Sequence, residues 1–170
     1  MGRAGRRALV LVGLLGGIAA VAWAQDAPRP RSLPAAVVRV VSGDSINVFV
    51  NGEVERVRYI GVTSPDPGEG TELGDPQGRE ALQFNRGLLN LMNVRLELDA
   101  QERDPDGRLL AYVWVGGVMA NAEVVGRGYG QVMGGGPNVR DQDLLLRRQA
   151  EARASRLGIW KSAGPAPPRR

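Results

Sequence analysis

The chain has 170 residues, a length that suits one domain with short appendages. It contains neither cysteine nor histidine, which excludes disulfides, thiolate or imidazole metal sites, and catalytic triads or dyads built on those side chains. Acid–base chemistry must therefore come mainly from carboxylates, and a metal site must be built from oxygen ligands, which suits Ca²⁺ or Mg²⁺.

The formal net charge is +4, and most of it lies at the amino terminus. Residues 1–24 hold three arginines and no acid, so the remaining chain carries 19 basic and 18 acidic residues, a balance of +1. This balance does not by itself indicate a nucleic-acid partner, which would require a local basic patch.

The first 24 residues have the pattern of a secretory signal peptide. A basic start is followed by an apolar run from Ala8 to Val21 and by the small-x-small sequence Ala22-Trp23-Ala24, which predicts cleavage before Gln25 and export to the periplasm or the medium. An uncleaved anchor is the alternative, but the run is shorter than the roughly 20 apolar residues that span a bilayer. No stable membrane association is expected after cleavage. Residues 25–34, with three prolines, predict a flexible linker.

The stretch from Val37 to Asp66 predicts a three-stranded meander. Ile46, Val48 and Val50 alternate with less apolar residues, which is typical of a half-buried strand. Asn51-Gly52 follows them and is a strong hairpin signal before the next alternating run. Such a meander can bring Asp44, at the start of its second strand, to the same edge as Arg58 in the third strand and Asp66 in the turn beyond it.

The remaining pattern predicts a loop, a helix and a second hairpin. Residues 68–78 are rich in Gly, Pro and acids, which indicates a mobile loop. A helix is predicted from Asp75 or Gly78 to Met92, and its expected buried face consists of Ala81, Phe84, Leu88 and Leu91. Strands are predicted over 94–98 and 108–115, separated by an Asp-Pro-Asp-Gly turn.

Two further helices are predicted at the carboxyl-terminal end of the domain. They cover residues 118–127 and 141–156, and the second offers Leu144, Leu145, Ala152 and the following Leu157 for packing. Trp160 is expected to cap the core, and residues 163–170 predict a disordered tail. Five short strands with a helix after the third match an α+β, mainly β, OB-fold barrel with three helices, over residues 35–162.

Four motifs, in order and spacing, carry a resemblance to a known family. They are Ser42-Gly43-Asp44-Ser45, the run from Val57 to Asp66, the run from Asp104 to Tyr112, and Leu157-Gly158-Ile159-Trp160. Together they cover roughly Ala35 to Lys161, and as an ordered set they resemble the thermonuclease (staphylococcal nuclease-like) family. The resemblance implies the same five-stranded barrel with three helices, and hydrolysis of DNA or RNA phosphodiesters with Ca²⁺ or another divalent cation.

The resemblance also implies roles for single residues. Arg58 and Arg108 match two arginines that bind the scissile phosphate, and Asp66 stands where the family has a glutamate proposed as the general base. These three are the predicted catalytic residues. Two guanidinium groups suit a phosphodiester under attack by water, because they stabilise the charge that develops on its non-bridging oxygens.

The metal ligands that the resemblance implies lie on both sides of the third strand. Asp44 matches a carboxylate ligand, and Ser64 stands where a threonine lends its backbone carbonyl. Thr63 occupies the position of a second metal-binding aspartate. Because Ca²⁺ affinity follows the charge of the ligands, a hydroxyl at this position predicts a weaker site.

Each candidate residue also has a purely structural interpretation. Asp44 and Asp66 suit turns, Arg58 suits a cross-strand ion pair with Glu55 or a neighbour, and Arg108 suits the turn before it. In addition, Asp106, Met133 and the glycines that follow replace tyrosines that contact the nucleotide in the best-known family members. The sequence therefore leaves three hypotheses: a monomeric exported nuclease, a catalytically weak or inactive barrel that binds nucleic acid or another polyanion, and an interaction domain of the cell envelope.

Overall fold

The computed structural model describes residues 30–68 and 74–161. The predicted signal peptide, the start of the linker and the tail lie outside these residues, as do residues 69–73 of the predicted loop. Within the described part of the chain, no helix is long and apolar enough to cross a membrane.

The described residues form strands, α-helices and one 3₁₀ helix. The strands are β1 Ser32–Val40, β2 Ser45–Val50, β3 Glu53–Tyr59, β4 Val62–Thr63, β5 Asn93–Glu97, β6 Leu109–Val115, β7 Val118–Met119 and β8 Gln131–Val132. The helices are α1 Pro76–Leu89, α2 Ala120–Gly126, α3 Gln142–Ala154 and the 3₁₀ helix Gly158–Trp160.

The long strands close into a five-stranded barrel. Antiparallel pairing runs from β3 through β2, β1 and β5 to β6. The ring is completed by a parallel contact of three residues, in which Val57, Arg58 and Tyr59 of β3 pair with residues 109–111 of β6. This architecture confirms the predicted OB-fold barrel with three helices.

The barrel interior is filled by aliphatic side chains and two tyrosines. Ile46, Val48 and Val57 are fully buried, as the period-2 pattern requires. Burial also raises the pKa of the Tyr59 phenol, although its hydroxyl donates a hydrogen bond of 3.0 Å to Asn85. Burial likewise raises the pKa of Tyr112 to about 12.

Helix α1 buries a different face from the one predicted. Its buried residues are Gly78, Ala81, Asn85 and Leu89, whereas Phe84 and Leu88 are only partly buried. The helix ends at Leu89, and Leu91 is 77% exposed with a positive φ of 59°. The prediction was correct for Ala81 and wrong for Leu91, and Phe84 and Leu88 pack against the core while only partly buried. It missed the polar Asn85, which hydrogen bonds to Tyr59 and to the Ser42 carbonyl hold in the core.

The start of the domain also differs from the prediction. Strand β1 begins at Ser32, inside the stretch expected to be a linker, and Ser32, Leu33 and Pro34 pair with β5. Pro34 is tolerated in this strand because β1 pairs with β2 only from Ala36 onward, so that at Pro34 the strand has a neighbour on one side alone. The two-residue strands β4, β7 and β8 were not predicted, since two residues show no periodicity.

The carboxyl-terminal helix packs through fewer residues than predicted. Leu145 and Ala152 are buried and Leu144 is partly buried, but Leu157 is 38% exposed and lies beyond the end of α3. Trp160 is partly buried and its ring lies 4.1 Å from the Arg153 guanidinium carbon. Trp160 therefore packs on α3 through a cation–π contact, and among the described residues it is not one of the side chains packed against the core, where it was expected.

We predict that Asn121→Ala lowers the free energy of unfolding by about 2–4 kcal/mol, because buried polar groups would lose their partners. The Asn121 side chain is fully buried, accepts a hydrogen bond from the Val113 N–H at 2.9 Å and donates one to the Ile60 carbonyl at 3.0 Å. Urea denaturation measures the change. Asn90→Ala, at an exposed position, is the control, and an equal loss in both variants would contradict the prediction.

Candidate functional site

The candidate site starts at Asp44, in the loop between β1 and β2. The residue is only 4% exposed. Its carboxylate accepts hydrogen bonds from the Ser42 hydroxyl at 2.7 Å and from the Ser64 backbone N–H at 3.1 Å. Asp44 thereby ties its own loop to the residue that follows β4, and these bonds stabilise the ionised carboxylate in a nearly buried position.

The neighbouring glycine allows this close approach. A Cβ atom at Gly43 would lie 2.7 Å from the Ala81 Cβ and 2.9 Å from the Ser64 side chain. Only glycine therefore lets α1 and the β4 end of the chain pack against the Asp44 loop. Asn85 secures the same contact, since its amide donates a 2.8 Å hydrogen bond to the Ser42 carbonyl.

Arg58 lies on the outward face of β3, opposite Ser45 at the start of β2. Its Nη2 atom is 3.5 Å from Asp44 Oδ2, and the Arg58 side chain is 22% exposed. The cross-strand pair between Arg58 and Glu55, one of the structural interpretations, is not formed. Glu55 instead accepts hydrogen bonds from Arg103, which lower the pKa of Glu55.

Arg108 lies immediately before β6 and is held by two carboxylates. Its Nε atom donates a 2.6 Å hydrogen bond to Asp104, and its Nη2 atom is 2.9 Å from Asp106. Burial opposes ionisation of Asp104, but hydrogen bonds from the Arg108 side chain and backbone outweigh it and hold the pKa of Asp104 below its usual range. Arg108 thus contacts the turn before it, as its structural interpretation expects.

The two arginines arise from the same outer face of neighbouring strands. Arg58 pairs with Leu110 across the parallel contact, and Arg108 lies two residues before Leu110. Residues two apart along an extended strand point to the same side, so both residues arise from one outer face, one strand spacing of ~5 Å apart across the sheet and two residues, ~7 Å, apart along it. The structure therefore brings Arg58 and Arg108 to a single surface.

Asp66 lies in an exposed turn that packs against the first turn of α1. Its carboxylate accepts a 2.9 Å hydrogen bond from the Gly68 N–H, and its carbonyl accepts one from the Asp75 N–H at 3.0 Å. A Cβ at Gly78 would lie 2.5 Å from the Asp66 carbonyl, which shows how tightly the turn is fixed. Among the described residues, no other candidate side chain hydrogen bonds to Asp66.

Thr63 pairs with Gln131 in the small β4–β8 sheet. Across residues 30–68 and 74–161, no group of three or more acidic side chains is placed to hold a metal ion. Asp44 supplies a carboxylate, and the buried Ser64 hydroxyl beside it has no hydrogen-bond partner among the described residues. These oxygen donors fit a hard divalent cation in type, but the charge is low because Arg58 lies 3.5 Å from Asp44.

A narrow pocket of about 100 Å³ opens beside Arg58. Its lining includes Leu110, Tyr112, Met133 and Gly135. The side of the pocket formed by Met133 and the glycines after it is the place where the family pattern has tyrosines. A base bound there would lack those stacking platforms, each worth about 1–3 kcal/mol.

Comparison with known proteins agrees with this geometry. The family model for the staphylococcal nuclease homologue matches residues 56–162. The thermonuclease of Staphylococcus hyicus is 36% identical over 126 residues, covering 74% of this chain and 75% of the relative. The chain belongs to the staphylococcal nuclease family. The thermonuclease of Staphylococcus intermedius is 37% identical with coverage of 74% of each chain, and endonuclease YncB of Bacillus subtilis is 34% identical over 128 residues, covering 74% of this chain and 61% of the relative.

Some residues that shape the site of this staphylococcal nuclease homologue were not predicted. The role of Asp104 could have been inferred, because an aspartate four residues before Arg108 across an Asp-Gly turn can reach back to it. The hydrogen bond from Ser42 to Asp44 could have been inferred in the same way, because a serine two residues before an aspartate can reach its carboxylate. In contrast, Asn85 contacts the site through tertiary packing, over 43 residues of sequence, and no sequence pattern indicates it.

We predict that Asp106→Asn strengthens binding of a deoxynucleoside 3′,5′-bisphosphate to this family member by about two- to fivefold. The Asp106 side chain is 72% exposed and pairs with Arg108 Nη2, so it competes with a phosphate for that donor, and an exposed ion pair is worth about 0.2–1 kcal/mol. Calorimetric titration measures the affinity. Asp143→Asn removes the same charge from an exposed position of α3; equal gains in both variants would show that only net charge matters.

Proposed function

We propose that this protein is an exported, metal-dependent nuclease that hydrolyses phosphodiester bonds of DNA or RNA. The observation that carries the proposal is the position of Arg58 and Arg108 on one outer face of two paired strands, with the Asp44 carboxylate beside Arg58. The relatives are named thermonuclease and endonuclease, which supports the same activity.

The two arginines would bind the non-bridging oxygens of the scissile phosphate. Attack by water increases the charge on these oxygens, and fixed guanidinium donors stabilise that charge more strongly in the transition state than in the substrate. Arg58 is already oriented by Asp44, and Arg108 by Asp104. Asp44 and Asp104 thus pre-orient the two side chains, whereas Asp106 must release Arg108 Nη2 before a phosphate can accept a hydrogen bond from it.

Asp66 is the proposed general base. A carboxylate can orient the attacking water and accept its proton. The exposed turn leaves the Asp66 side chain accessible, while its backbone is held by Asp75 and packed against Gly78. Because Asp66 is one methylene shorter than the glutamate of the family pattern, its reach to the attacking water differs from that of the glutamate.

Asp44, Ser64 and Thr63 would hold the divalent cation, for which Ca²⁺ is the proposed ion. When bound, such a cation supplies positive charge near the phosphate and lowers the pKa of a coordinated water. Asp44 would contribute the charged ligand, and Ser64 and Thr63 would contribute neutral oxygens. With one carboxylate in place of two, we expect weak binding.

Export and a monomeric state complete the proposal. The signal-peptide pattern of residues 1–24 supports passage to the periplasm or the medium. An extracellular or periplasmic location would suit a degradative nuclease without cysteines, since the fold does not depend on the redox state of its surroundings.

A catalytically inactive barrel that binds nucleic acid or another polyanion is the second candidate. It is favoured by Thr63 at a metal-ligand position and by the occupation of Arg108 by two carboxylates. This candidate predicts salt-sensitive binding without turnover.

We predict that Arg58→Gln and Arg108→Gln each lower the rate of single-stranded DNA cleavage by about 10²–10³, because each removes a donor to the transition-state oxyanion. Cleavage of a labelled oligonucleotide with added Ca²⁺ measures the rate. Arg147→Gln, an exposed position on α3, is the matched control. If the unmodified protein shows no cleavage above a mock preparation with Ca²⁺, Mn²⁺ or Mg²⁺, the nuclease proposal fails.

We also predict that Thr63→Asp strengthens Ca²⁺ binding, because it adds a charged ligand. Ligand binding to the native state raises the melting temperature, so a Ca²⁺ titration followed by thermal denaturation measures the effect. Thr63→Asn is the control, because asparagine has the shape of aspartate without its charge. Identical Ca²⁺ midpoints for the two variants would place Thr63 outside the metal site.

A further inference from the structure

The outer face of the meander carries a row of basic residues that extends beyond the candidate site. Arg39 of β1 pairs with Asn47 of β2, and Asn47 pairs with Arg56 of β3. Arg56 of β3 and Arg108, immediately before β6, lie side by side. The residues that follow them in sequence, Val57 and Leu109, are paired in the parallel contact between β3 and β6. We call Arg39, Asn47, Arg56 and Arg108 the arginine row.

The guanidinium groups in this row differ in their partners. Arg108 is neutralised by Asp104 and Asp106. Arg39 and Arg56 are exposed, and among the described residues no carboxylate lies within 4.0 Å of either group. Within residues 30–68 and 74–161, the outer part of the row therefore presents two positive charges without an ion-pair partner.

The row is continuous with the candidate site. Arg56 and Arg108 line one open depression together with Glu55, Asp106 and Gly107. Glu55 is paired with Arg103, and Asp106 is paired with Arg108. Neighbouring strands lie about 4.8 Å apart, so the row extends roughly 15 Å across the strands from β6 to β1. A phosphate bound at Arg108 would thus have the next cation, Arg56, within one strand spacing.

An exposed aromatic residue lies beside the row. Phe49 is 50% exposed on the outer face of β2, two residues from Asn47 and opposite Val54, which is 60% exposed. An aromatic ring open to solvent next to arginines is the combination that binds single-stranded nucleic acid, with the bases stacked on the ring and the phosphates held by the cations.

We propose that the arginine row and Phe49 form a second binding subsite for a single-stranded nucleic acid, outside the site of phosphodiester cleavage. Arg56 and Arg39 bind successive phosphates of the strand that leaves Arg108, and Phe49 stacks with a base. The proposal deepens the proposed function and rests on it, since it concerns the same substrate class. The expected ligand is a strand of at least several nucleotides.

The test measures the binding of single-stranded oligonucleotides of 3 and 12 nucleotides by fluorescence anisotropy. EDTA is present so that cleavage does not interfere. For single strands, the slope of log K against log salt is about −0.7 for each phosphate neutralised. The double variant Arg39→Gln/Arg56→Gln is expected to reduce the slope for the 12-mer by about 1.4. Phe49→Ala is expected to weaken binding of the 12-mer roughly tenfold, with its slope retained.

The control variants carry the same changes at other exposed positions. Arg86→Gln/Arg147→Gln removes two exposed arginines from α1 and α3, and Leu146→Ala removes an apolar side chain that is 43% exposed. Neither control is expected to change the slope or the affinity for the 12-mer by more than about twofold. Thermal denaturation of every variant identifies any loss that arises from unfolding.

The outcomes separate this inference from the proposed function. Absence of cleavage together with the expected loss of slope would overturn the nuclease proposal and support the subsite. Normal cleavage with an unchanged slope in the Arg39→Gln/Arg56→Gln variant would overturn the subsite alone. An equal loss of affinity for the 3-mer and the 12-mer in the Arg39→Gln/Arg56→Gln variant would also overturn the subsite. The same holds if this variant loses binding to anionic phospholipid vesicles but keeps its affinity for the 12-mer.

Discussion

The short parallel contact between β3 and β6 is the interaction on which the rest of the structure depends. It joins residues far apart in the chain, 57–59 and 109–111, and it converts a curved sheet into a closed barrel. Closure removes two sheet edges and buries the aliphatic core. The same three residue pairs place Arg58 and Arg108 on one face, so the candidate site is a direct consequence of how the barrel closes.

Asp44 has a comparable role on a local scale. A nearly buried carboxylate is costly unless hydrogen bonds and a cation compensate for the lost hydration. Ser42, the Ser64 N–H and Arg58 provide that compensation, and in doing so they fix the relative positions of the β1–β2 loop, β4 and β3. A metal ion would have to compete with Arg58 for this carboxylate, which is a physical reason to expect weak affinity while Thr63 supplies no charge.

Much of the fold could be predicted from the sequence, because the barrel strands carry clear alternation and the Asn51-Gly52 turn fixes one hairpin. The family could be predicted from four ordered motifs, and the comparisons confirm it. The buried face of α1 could not be predicted in full, because Asn85 enters the core only through contacts with residues distant in sequence. The ion pairs of Arg58 and Arg108 depend on rotamers and on competing carboxylates, which a motif does not specify. The roles of the six candidate residues stay predictions.

The absence of histidine and cysteine has a consequence for the pH range over which the fold is stable. The carboxyls of Glu55 and Asp104 have lowered pKa values, mainly through Arg103 for Glu55 and through Arg108 against the effect of burial for Asp104. Their contributions are complete above their unfolded pKa values near 4 and are lost in stronger acid. Tyr59 and Tyr112 have raised pKa values, so their contributions are complete below about pH 10 and are lost in stronger alkali. Because the chain has no histidine and no cysteine, whose side chains titrate nearest to neutrality, stability should form a broad plateau between about pH 5 and pH 9.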